Sequence, residues 1–138
     1  MLGESPERER RPLMLALAGG VVAAGALAAL VLTLGSWAYQ HRRYTLHDGR
    51  LKRLVEQHPT ADDASQGILA EPGNRVISAP SSVPELRQWV SRWPTRRDEV
   101  LRKRERWPML RIFDAGGLVY VLYFDEAGRL RDYVLLGP

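Results

Sequence analysis

The sequence predicts an α+β protein: one N-terminal transmembrane helix, then a small domain of short helices and a C-terminal three-stranded antiparallel meander. Three observations carry this reading. Residues 13–35, LMLALAGGVVAAGALAALVLTLG, run for 23 positions without a charge. Two proline-stopped helical segments follow in the middle of the chain, the first with Leu86, Trp89, Val90 and Trp93 on one face. The last thirty residues hold three apolar runs separated by glycine-bearing turns. The expected divisions are a tail over 1–12, an anchor over 13–39, a juxtamembrane helix over 40–59 and the α+β domain over 60–138.

At 1.5 Å per residue the uncharged run is about 35 Å long, enough to cross a hydrocarbon core of about 30 Å with some tilt. A core helix would show a polar face, and only Thr33 interrupts this one. A cleaved signal has an apolar region of about 7–15 residues, and Gly35-Ser36-Trp37-Ala38 offers no clean small-x-small cleavage site. Seven leucines favour insertion, and Trp37 and Tyr39 fall where an interfacial aromatic belt would lie. The reading is an uncleaved signal anchor. Ala16, Gly20, Ala24 and Ala28 recur at a spacing of four, the pattern that lets two helices approach closely in lipid. They are the candidate contact face for self-association or a partner span, although 11 Ala or Gly in 23 residues also produce such a stripe by composition.

Two orientations follow from the flanking charges. Arg8, Arg10 and Arg11 precede the span, and Arg42, Arg43, Arg50, Lys52 and Arg53 follow it, which by count turns the carboxyl side to the cytoplasm. Three arginines ahead of an apolar run have the form of a signal anchor, and long carboxyl domains translocate largely regardless of charge. The favoured expectation is therefore a domain outside the cytoplasm.

Within the domain, Thr45–His58 reads as an amphipathic helix opened by a Thr45-x-x-Asp48 capping box and stopped by Pro59. Thr60 caps a further short helix to Leu69, Glu71-Pro72-Gly73-Asn74 is a turn, and Arg75–Ser78 is a brief strand outside the meander. Ser82-Val83-Pro84-Glu85 is a capping box with proline in the first turn. Pro94 ends that helix, and Thr95-x-x-Asp98 opens the next, which carries Val100, Leu101 and Trp107 and stops at Pro108. The meander runs Met109–Asp114, Leu118–Phe124 and Leu130–Leu136, with Ala115-Gly116-Gly117 and Asp125-Glu126-Ala127-Gly128 as its turns. LVYVLYF is apolar throughout and suits a central strand, with the tryptophan-bearing helix covering one face of the sheet.

The three arginines and three glutamates of the tail cancel, so the net charge of +4 belongs to the rest, 17 Lys/Arg against 13 Asp/Glu. Nine basic residues lie between Arg87 and Arg111, against Asp98, Glu99 and Glu105. Arg96, Arg97, Arg102, Lys103, Arg104 and Arg106 form the candidate surface for anionic lipid or an acidic partner. Nucleic acid is disfavoured, because the tryptophans stand at core spacing and are not interleaved as stacking platforms. Solvated i,i+4 pairs, Asp98 with Arg102 and Glu99 with Lys103, are the plain alternative.

No catalytic constellation is legible. Cysteine is absent, so no disulfide framework, thiolate metal site or lipid-modified cysteine is available. His41, His47 and His58 match no ligand spacing and read as solvated juxtamembrane residues. There is no phosphate-cradling glycine loop, no G-x-S-x-G elbow and no H-E-x-x-H; Asp114, Asp125, Glu126 and Asp132 read as turn and sheet-edge charges. No enzyme, cofactor or metal is expected.

Short helices ending in Glu71-Pro72-Gly73, then the VYVLYFDEAGRL hairpin, resemble the small outer-membrane assembly lipoproteins of the SmpA/OmlA type. The matching residues are Tyr120–Phe124, Asp125, Gly128 and Leu130, and the resemblance covers the last third of the chain. The chain departs from that family in lacking the lipid-modified cysteine and in placing Trp89, Trp93 and Trp107 where the family's sheet would begin. The resemblance implies a non-catalytic, accessory role in envelope assembly. The expected protein is therefore a single-pass bacterial inner-membrane protein with lipid, an envelope protein and a second copy of its span as partners. The alternative is a cytoplasm-facing basic domain on anionic lipid or nucleic acid.

Overall fold

The computed structural model describes residues 6–138, with side chains from residue 14 onward. The tail's charged side chains, Arg8, Arg10 and Arg11 among them, lie outside the described residues. The chain divides into two compact units, Met1–Arg42 and Arg43–Pro138.

The first unit holds most of α1 (Pro6–Glu56), a helix long and apolar enough to cross a membrane. From Met14 to Gly35 every residue is exposed. The predicted helix start at Thr45 is corrected: α1 runs through Thr45 and Gly49 unbroken and ends at Glu56, ahead of His58 and Pro59. A capping box acts only where the preceding residue leaves helical backbone, and nothing before Thr45 breaks the helix. An added Cβ at Gly49 meets nothing within 4 Å. Gly49→Ala should therefore raise stability by about 0.5–1 kcal/mol, seen as a rise in Tm of several degrees.

The second unit is α+β. Its helices besides the end of α1 are α2 (Ala61–Leu69), α3 (Val83–Val90) and α4 (Arg97–Arg106). Its strands are β1 (Asn74–Ile77), β2 (Met109–Ala115), β3 (Leu118–Phe124) and β4 (Leu130–Leu136). They form one antiparallel sheet in the order β1-β2-β3-β4, four strands and not three. The brief strand at 74–77 joins the meander because Val76 and Ile77 pair with Phe113 and Ile112.

The expectation of a single covered face is also corrected. Phe113, Tyr120, Leu122, Phe124 and Leu135 pack on one face with Leu51 of α1 and Ala64 and Ile68 of α2. Ile112, Val121, Tyr123, Val134 and Leu136 pack on the other with Leu86, Val90 and Val100 of α3 and α4. Covering both faces is what an all-apolar β3 requires, since alternate residues point to opposite sides. Trp89 and Trp93 are half-buried against the second face, their rings 5.0 Å apart.

Local signals explain most element ends. Thr60 caps α2 by accepting from the Asp63 N–H at 3.2 Å, and Ser82 caps α3 by accepting from the Glu85 N–H at 3.3 Å. The Glu85 carboxylate reaches back to the Ser81 N–H at 3.0 Å, one residue beyond the expected box partner. The Thr95 box does not form: Arg96 occupies the cap position of α4 with no side-chain bond, and α3 ends at Val90, before Trp93. Gly116 and Gly117, with φ of 65° and 94°, make the β2–β3 turn, and Gly128 at 76° closes the next. On the outer edge of β4, side chains occupy carbonyls: Lys103 donates to Tyr133 O (2.9 Å) and Tyr44 to Leu135 O (3.2 Å), and just past the strand Trp93 donates to Gly137 O (2.7 Å).

Candidate functional site

The expected basic surface is split by the fold. Val100 turns inward on α4, and Arg96, Lys103 and Arg104 are partly buried beside it. Arg96 lies 2.7 Å from the Glu99 carboxylate and donates to the Tyr44 hydroxyl. Lys103 is 3.3 Å from Glu99 and 3.0 Å from Asp132, with only 19% of its side chain exposed. Arg104 donates to Trp107 O at 3.0 Å. Arg97, Arg102 and Arg106 are the members that face solvent, and Asp98 and Glu105 stand among them. The outward face of α4 is thus a mixed surface with a small positive excess. Burial pushes the Glu99 carboxyl up, but the hydrogen bonds from Arg96 and Lys103 outweigh it and hold the group below its usual range.

Sequence reasoning missed the seam that joins the end of α1 to the sheet. Tyr44, His47, Asp48 and Leu51 fall at i, i+3, i+4 and i+7, one helix face, but three of the four are polar. Arg43 donates to Ala115 O (3.0 Å) and to Gly116 O, capping the carbonyls of the β2–β3 turn. His47 hydrogen-bonds through Nδ1 to the Tyr120 hydroxyl, and the Tyr133 hydroxyl donates to Asp48 at 2.5 Å. Burial, with the Asp48 carboxylate beside it, pushes the Tyr133 phenol up, so it stays a donor. The expectation that His47 is solvated is corrected: it is half-buried against Tyr120. His41 remains exposed and stacks on Trp37 with centroids 5.4 Å apart, while His58 lies 3.0 Å from Leu130 O.

His47 carries a pH dependence. Burial, and then the Arg43 and Arg50 charges against the opposing pull of Glu71, lower its pKa below 6.5. The neutral ring pairs with the Tyr120 hydroxyl and is the form the fold favours. The unfolded chain therefore binds the proton more tightly, and this contribution is present above the unfolded value of 6.5 and is lost as pH falls from there through the lower folded-state pKa. The Tm of the domain should fall as pH is taken down from about 7 past the ordinary histidine value, and His47→Gln should flatten that slope.

The span residues Ala16, Gly20, Ala24 and Ala28 lie on one face of α1, and an added Cβ at Gly20 meets nothing within 4 Å. Trp37 and Tyr39 are exposed on the same helix beyond the uncharged run. Among the described residues, no three His, Cys, Asp or Glu converge in a way that could hold a metal. Comparison with family models, with curated proteins and with solved structures finds no match to this chain.

Proposed function

We propose that this chain is a single-pass, membrane-anchored, non-catalytic interaction module whose folded domain stands outside the cytoplasm as an accessory protein of a bacterial envelope complex. One observation carries the anchoring: a 22-residue stretch of α1, Met14–Gly35, is uncharged and exposed at every position, which water would not tolerate and lipid would. The domain that follows has two filled cores, so its sheet faces are not left wanting a partner. Along the end of α1 and the inner side of α4, Arg43, Tyr44, His47, Asp48, Arg96 and Lys103 are tied to sheet residues or to one another. That division of labour suits a scaffold that binds through its rim. The resemblance of the β3–β4 hairpin to the assembly lipoproteins supports the envelope setting, with the helix in place of a lipid anchor. The Ala16–Ala28 stripe offers a second copy of the span a close approach.

Protease added to intact spheroplasts tests the sidedness. Digestion of the domain without lysis supports this reading, and protection until lysis overturns it. The second reading, a cytoplasm-facing domain held on anionic lipid, is favoured by the outward Arg97, Arg102 and Arg106. It requires liposome binding that falls with salt and is lost when those three arginines are neutralised.

A further inference from the structure

The two edges of the sheet are treated differently. Side chains occupy the outer carbonyls of β4, whereas β1 pairs with β2 only from Asn74↔Ala115 to Ile77↔Ile112. Met109, Leu110 and Arg111 of β2 therefore lack a β1 partner, although all three pair with β3 on their other side. The chain leaves the sheet there through Ser78, Ala79 and Pro80. A cavity of about 300 Å³ fills the gap, lined by Met109 and Arg111 from one face of the sheet and Leu110 from the other, with Ala79, Pro80 and Arg104 as walls. A second hollow of about 360 Å³ shares Ala79 and Arg111 and is walled by Leu69, Val76 and Phe113. Leu69 and Val76 are 42% and 57% exposed, an apolar rim beside the open strand edge.

An unpaired strand edge presents N–H and C=O groups at strand spacing, which an extended backbone matches and a helix does not. Charge specifies more. Two guanidinium groups line the cleft, and among the described residues the only carboxylate in ion-pair range of either is Asp62, 3.4 Å from Arg111 and 85% exposed. Arg111 also donates to Ser65 Oγ at 2.8 Å and to Ala61 O at 3.3 Å, and Arg104 to Trp107 O, neutral partners that leave both charges in place, while the pair with the exposed Asp62 contributes little and is readily exchanged.

We propose that the cleft binds an extended, acidic segment of a partner protein. The segment lies beside Met109–Arg111, sets an apolar side chain in the hollow at Leu69 and Val76, and places a carboxylate on Arg104 and Arg111. The proposal rests on the reading of the domain as an interaction module and names what that module takes. Short random peptides displayed on phage and selected against the full-length protein in detergent micelles test it. The expected winners alternate apolar residues with Asp or Glu. A synthetic winner should lose at least about tenfold in affinity on Arg104→Glu, and as much when one central amide is N-methylated. Ala79→Trp, which fills the cleft from an exposed loop, should do the same with an unaltered melting curve. No enrichment over empty micelles, basic or unpatterned winners, or affinity indifferent to these changes overturns the proposal. Binding in micelles is independent of sidedness, so such a failure leaves the spheroplast result standing.

Discussion

Arginine at both Val22 and Leu27 should shift the protein out of the membrane fraction. On the insertion scale each arginine at mid-helix costs about 3 kcal/mol where the native residue gains about 0.3–0.5, so the pair costs about 6–7 kcal/mol. The neighbouring residues cannot absorb that cost. Ala23, Ala24, Gly25 and Ala26 contribute little apolar area, and seven leucines supply most of the drive for insertion. The double variant should move from the carbonate-resistant pellet to the soluble or aggregated fraction. The folded domain itself should be untouched, since Val22 and Leu27 belong to the other compact unit. Retention of the double variant in the pellet would show that something other than this helix holds the chain.

Phe113→Ala carries the largest expected effect within the domain. Phe113 is fully buried, pairs with Tyr120 on β3 and Val76 on β1, and packs in the core formed with α1 and α2. Truncating a buried phenylalanine costs about 3–5 kcal/mol, against about 5–15 kcal/mol for the total stability of a domain. For a domain of this size the Tm should fall by more than about 10 °C, measured by circular dichroism on the full-length protein in detergent. Val76→Ala, on the exposed partner of the same pair, should change stability by about 0.5 kcal/mol or less. Equal effects at the two positions would mean that the core does not lie where the register puts it.

Where one local signal stood alone, the sequence was a good guide. Leu118–Phe124 and Leu130–Leu136 are strands with the bounds that their apolar runs and flanking glycines imply. Thr60 and Ser82 cap helices because a proline at 59 and a loop at 79–81 take the preceding chain out of helical backbone. The same motif fails at Thr45, where an established helix simply continues, and at Thr95, where Arg96 takes the cap position. The second covered face was implied by β3 itself, because residues apolar on both sides need cover on both sides. The sheet's fourth strand was visible only as four residues with one exposed valine, and pairing with β2 is what gives them strand character. The candidate site was less legible. A run of arginines and lysine at 96–106 shows charge, but the helix period divides it, sending Lys103 toward Asp132 and Arg102 into solvent. The Tyr44–His47–Asp48 seam escaped for the opposite reason, since hydrophobic periodicity is blind to polar residues that dock by hydrogen bonds.

If the apolar helix holds the domain outside the cytoplasm as proposed, Pro138 lies beyond the membrane. A reporter enzyme that is active only after export, fused after Pro138, reads that placement. Full reporter activity in cells, abolished by the Val22→Arg, Leu27→Arg pair, is the expected result. An inactive export reporter, together with activity from a reporter that works only in the cytoplasm, would contradict it.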